Sequence, residues 1–67
     1  MLDIYLNGEP HLVPDRHTLL ELIAALDLEN QALALAVNRN VVPRQRWAEH
    51  LLRQEDKVDI VRAIGGG

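Results

Sequence analysis

Three observations predict an α+β fold, a mixed sheet of four to five strands with one helix packed on one face. Apolar residues alternate with polar ones near both ends of the chain, a single stretch of helical periodicity lies between them, and asparagine-rich turn signals separate the short strands. Leu2, Ile4 and Leu6 alternate with Asp3 and Tyr5, which marks a half-buried strand. Asn7-Gly8 then signals a tight hairpin, because both residues tolerate positive φ. The return strand, roughly Pro10 to Val13, is bracketed by Pro10 and Pro14, which cannot donate to a ladder, so it belongs at a sheet edge.

Thr18-Leu19-Leu20-Glu21 fits a capping box and opens the helix. Leu19, Leu22, Ile23 and Leu26 fall at i, i+3, i+4 and i+7, one apolar stripe that must cover the sheet, and the helix ends near Asp27. Ala32 to Val37 has helical composition, but Leu33, Leu35 and Val37 alternate with alanines over only six residues, so it reads as a strand. Asn38-Arg39-Asn40 turns the chain into the short strand Val41-Val42, which Pro43 closes. Arg44 to Leu52 is irregular or a single turn around Trp47, a core or rim-packing residue. The last strand, Lys57 to Ile64, points Val58 and Ile60 one way and Asp59 and Val61 the other.

The chain has 67 residues, 48% apolar and 25% charged, the composition of one small globular domain with a thin core. It has no cysteine, which excludes disulfides, thiolate zinc sites and a cysteine nucleophile. The N-terminus has no basic leader, and the longest unbroken apolar run, Ala32 to Val37, is too short for a bilayer span, so the chain reads as cytoplasmic without membrane contact. A net charge of −3 disfavours nucleic acid, whose phosphates demand a basic face. Residues 1–30 carry six acids against Arg16 alone, while residues 31–67 carry a slight basic excess. That segregation reads either as an ordinary solvated surface or as one acidic docking face. No HExxH, GxSxG or P-loop pattern occurs, and His11, His17 and His50 lack metal-ligand spacing, so no metal site is expected. Glu21 reads as a helix cap and Glu55-Asp56 as a turn.

Gly65-Gly66-Gly67 follows the last strand with no polar spacer. Glycine loses the most backbone freedom on ordering, so three in a row do not serve stability. A frayed end or a cloning scar is one reading. The other is reach: three residues extend about 10 Å and thread where side chains cannot. The division is then a domain over residues 1–64 and a reactive tail over residues 65–67.

At this point the chain resembles the ThiS family, sulfur carriers of the thiamine pathway with the ubiquitin-like β-grasp fold. The resemblance rests on Asn7-Gly8, Thr18-Leu19 with Leu22, Ala36-Val37-Asn38, Val42-Pro43-Arg44, Trp47, Asp56 and the terminal Gly66-Gly67. Gln54-Glu55-Asp56 departs from it, since the family often has glycine beside the aspartate. The resemblance implies a carrier rather than a catalyst, with no bound cofactor. A ThiF-like enzyme using ATP and Mg would adenylate the Gly67 carboxylate, a persulfide donor would convert it to a thiocarboxylate, and a ThiG-like thiazole synthase would receive the sulfur. Gly65 and Gly66 would thread the partner's cleft. A MoaD-like carrier for molybdopterin synthesis is the alternative within the fold, and a non-covalent β-grasp binding module the alternative outside carrier chemistry.

Ordering three glycines costs about 3–6 kcal/mol at roughly 1–2 kcal/mol each, so the domain body must supply affinity for a partner. Val61 and Ala63 have outward parity on the last strand, Ala34 and Ala36 share that sheet face, and Arg62 and Ile64 stand at the root of the tail. These six residues form either a docking patch or an ordinary strand surface.

Overall fold

The computed structural model describes residues 1–62. Its elements are β1 (Leu2–Leu6), β2 (Glu9–Val13), α1 (Leu19–Ala25), β3 (Leu33–Val37), β4 (Asn40–Val42), a 3-10 turn (Arg44–Arg46) and β5 (Lys57–Arg62). All five strands form one sheet in the order β2-β1-β5-β3-β4. β5 runs parallel to β1 and antiparallel to β3, and the other neighbours are antiparallel hairpins.

Both hairpins turn on two residues at positive φ, Asn7 at 49° with Gly8 at 84°, and Asn38 at 51° with Arg39 at 71°. That left-handed pair matches the twist of the strands it joins. Asn40 therefore belongs to β4 rather than to the turn, where it faces Val37. β2 lies at the edge, as Pro10 within it and Pro14 directly after it require.

The capping box forms in full. The Thr18 hydroxyl accepts from the Glu21 N–H at 3.1 Å, and the Glu21 carboxylate accepts from the Thr18 N–H at 3.0 Å. The remaining early amides are met by the segment after the 3-10 turn, with Leu19 N–H donating to the His50 carbonyl and Leu20 N–H to that of Trp47. At the other end Asp27 takes φ 61°, its N–H donates to Ala24 and the Leu28 N–H reaches back to Ile23. These are the two bonds of a Schellman stop, with Asp27 in the place glycine usually fills. The helix accordingly ends at Ala25, with Leu26 as its cap.

Leu19, Leu22 and Ile23 of α1 are buried against Ile4, Val13, Leu35, Val37, Val42 and Val58 from one face of the sheet. Each such side chain removed from water contributes about 1.5–3 kcal/mol. Trp47 and Leu52 close the core from the side, and Trp47 is a core residue, its indole N–H donating to the Val42 carbonyl at 2.9 Å. The Arg44 guanidinium covers the ring at 4.6 Å and donates to the carbonyls of Glu29 and Gln31, tying the loop after α1 to this segment. Among the described residues no helix is long and apolar enough to cross a membrane.

Candidate functional site

Strand parity sends one set of side chains to the helix and the other to the bare face of the sheet. On that bare face Val61 stands directly opposite Ala34, and Ala36 lies between Asp59 on β5 and Val41 on β4. Val61 is 61% exposed and Val41 76%. Ala34 is exposed and Ala36 half-buried. The short alanines leave the backbone open to close approach between two exposed valines, an apolar strip over the outer half of the sheet.

Three of the expected docking residues, Val61, Ala34 and Ala36, are thus brought together. Arg62 is exposed but stands opposite Leu33, whose side chain has the inner parity, so it marks the strand's end rather than the strip. Ala63, Ile64, Gly65, Gly66 and Gly67 lie outside the described residues. Val41 is the member that sequence reasoning missed. Its signal was available in the parity of Val41-Val42, since a buried Val42 puts Val41 outward.

Beyond the apolar strip the same face becomes charged. Tyr5, Gly8, Arg39, Glu55, Lys57 and Asp59 line an open groove along the first half of β5. The six acids of residues 1–30 do not form one acidic face: Asp3 lies on β1 with outward parity, Glu21 caps the helix and Asp27 stops it, so the segregation along the chain is dispersed over both layers. The Glu21 carboxyl is held below its usual value of 4.5, first by the Thr18 N–H and then by its hydroxyl, which marks a structural cap. Among the described residues no group of three or more histidine or acidic side chains converges to hold a metal ion.

The root of β5 is anchored by a polar network. The buried Asp56 carboxylate accepts from the Asn38 side-chain amide at 3.0 Å and from the Arg53 N–H at 2.9 Å, and the Asn38 side-chain oxygen Oδ1 accepts from the Lys57 N–H at 3.0 Å. Glu55 takes φ 66° beside it, so the turn that lacks glycine keeps a left-handed residue all the same.

A single helix clasped by a five-stranded mixed sheet, with a parallel central pair and one face left bare, is the ubiquitin-like β-grasp. A crystal structure of a ThiS thiamine biosynthesis protein from Geobacter metallireducens shares this fold at a TM-score of 0.85, with 23% identity, covering 98% of this chain and 100% of that one. Residues 4–67 match the model of the ThiS family. The chain is 32% identical over 66 residues to the sulfur carrier protein ThiS of Escherichia coli (strain K12), covering 98% of this chain and 100% of the relative. It is also 35% identical over 66 residues to a thiazole synthase of Magnetococcus marinus, covering 98% of this chain but 20% of that much longer protein. The chain belongs to the ThiS family.

Proposed function

We propose that this protein is a sulfur carrier for building the thiazole ring of thiamine, and that its working group is the carboxylate of Gly67. The observation that carries this reading is the family match, which runs through residue 67, joined to full-length similarity to a carrier named for that task. The thiazole synthase of which one fifth resembles this chain supports such a synthase as the acceptor.

The chemistry explains why a separate activating enzyme is needed. A C-terminal carboxyl has a pKa near 3.5 and is an anion at neutral pH, so sulfur does not displace its oxygen unaided. In the proposed sequence a ThiF-like enzyme, using ATP and Mg, lets the carboxylate attack the α-phosphorus, and pyrophosphate leaves. A persulfide sulfur then attacks the carbonyl carbon and AMP departs with the electron pair. Cleavage of the sulfur–sulfur bond by a thiol leaves the thiocarboxylate, whose sulfur passes to a ThiG-like synthase. The chain itself acts as a protein substrate rather than as a catalyst. The strip of Val61, Ala34 and Ala36, with Arg62, Ala63 and Ile64 at the root of the tail, docks the body while Gly65 and Gly66 thread the partner's cleft.

Intact-mass measurement after incubation with ATP, the adenylating enzyme and a persulfide source tests this reading. Exchange of one oxygen for sulfur at Gly67 is expected. An unchanged mass under conditions that load another ThiS carrier overturns it.

A further inference from the structure

β5 occupies the centre of the sheet, yet only its first half has a neighbour on each side. The Asn38 N–H donates to the Lys57 carbonyl, so Lys57, Asp59 and Val61 turn their backbone groups toward β3, while Val58, Ile60 and Arg62 turn theirs toward β1. On the β1 side, Tyr5 N–H donates to Asp56 and Asn7 N–H to Val58. There β1 ends and the chain turns back at Asn7-Gly8. The Asn7 side chain replaces the next rung, its carbonyl oxygen accepting from the Ile60 N–H at 2.8 Å. Past that point no described residue bonds the Ile60 carbonyl or the Arg62 N–H, although β3 holds the other flank of β5 as far as Leu33 opposite Arg62. A Cβ built on Gly8 would meet nothing within 4 Å, so the space beside the hairpin tip is open.

The outer edges of the sheet are blunted by contrast. β2 carries Pro10, which has no N–H to offer, and β4 is three residues long. The strand edge best prepared for pairing is therefore this internal notch, next to the exposed Val61 and at the root of the tail.

We infer that the notch is completed by an extended segment of the adenylating enzyme, which adds a short strand parallel to β5 beside Ile60 and Arg62. In a parallel ladder one partner residue fills both vacancies, its N–H donating to the Ile60 carbonyl and its carbonyl accepting from the Arg62 N–H. The added strand abuts the apolar strip that docks the body, so the two surfaces form one interface. This inference rests on the carrier reading above and specifies how the carrier is gripped.

The test uses the full 67-residue chain made by chemical ligation with N-methyl-arginine at Arg62, and a second chain with an ester at the same linkage, which deletes the N–H without adding bulk. Both should bind the adenylating enzyme about tenfold more weakly, a loss of ~1.4 kcal/mol; the N-methyl chain should keep its melting temperature within about 2 °C, while the ester, whose Val61 carbonyl is a weaker acceptor toward β3, should melt a few degrees lower. N-methylation at Val61, whose N–H faces β3, should instead lower the melting temperature. In the unmodified chain the Arg62 amide should exchange rapidly when free and at least tenfold more slowly in the complex. Affinity within twofold of the unmodified chain for both analogues, or an Arg62 amide unslowed in the complex, overturns the inference. If the unmodified chain is adenylated and the analogues are adenylated equally well, only the notch falls. An unmodified chain that neither binds nor is adenylated removes the carrier reading and the notch together.

Discussion

The two ends of β5 are held in opposite ways. At the Lys57 end, Asp56, Asn38 and Arg53 interlock, and Asp3 and Gln54 exchange two further bonds across the start of β1. At the Arg62 end one flank is paired, the other has no strand neighbour among the described residues, and Val61 is 61% exposed. The side-chain bonds that hold β5 are concentrated at its Lys57 end, so a change in pairing at the Arg62 end leaves that network intact.

Three changes test that separation, and the first should have the largest effect. Deleting Gly67 should abolish ATP–pyrophosphate exchange with the adenylating enzyme while leaving the melting temperature unchanged. A drop of several degrees would make the glycines structural and erase the contrast. Asp56→Ala should do the reverse. It strands the Asn38 amide and the Arg53 N–H, and a loss of about 2–3 kcal/mol, roughly 10 °C or more in a domain this small, is expected in thermal and urea melts. A loss below 0.5 kcal/mol would show that the anchored end is not anchored by Asp56. Val61→Asp places a charge on the apolar strip, so the KM for the carrier in adenylation should rise about tenfold with little change in melting temperature. An unchanged KM would move the docking surface elsewhere.

The smallest effect concerns the helix cap. The Glu21 carboxyl is lowered in the folded state, so its contribution is present above the ordinary value of 4.5 and is lost as pH falls through the lowered folded value. Glu21→Gln keeps a box-forming side chain. Its stability should therefore trail the parent only above that range, and the two should converge in acid. Parallel curves throughout would rule out the carboxylate as the source.

Much of this architecture could be read from residue order alone, and the reason is local. Capping, Asn-Gly turning and period-two alternation are decided within a few residues, so Thr18 with Glu21, Asn7-Gly8 and Leu2–Leu6 appear where their chemistry requires. What escaped depends on register. Parity assigns Val61 and Ala34 to a face but does not make them neighbours, and it says nothing of β5 lying between β1 and β3. Asn38 and Asp56 both stood out as single residues, yet their bond spans 18 positions and exists only because the β3–β4 turn meets the start of β5. Arg44 entered only as part of the Val42-Pro43-Arg44 motif, and its bonds to Glu29 and Gln31 exist only once the loop after α1 folds beside it. The notch was invisible for the same reason, since it is a difference in length between strands that only pairing can align.

Placing the last strand at the middle of the sheet also bears on damaged copies of this carrier. Within the sheet of the described residues the β1–β2 and β3–β4 hairpins are joined by β5, and a lone two-stranded ribbon is barely stable in water. A nick or early stop within β5 should therefore destabilise the fold as a whole instead of trimming it. A copy cut back into that strand loses the link between the two hairpins together with its C-terminus.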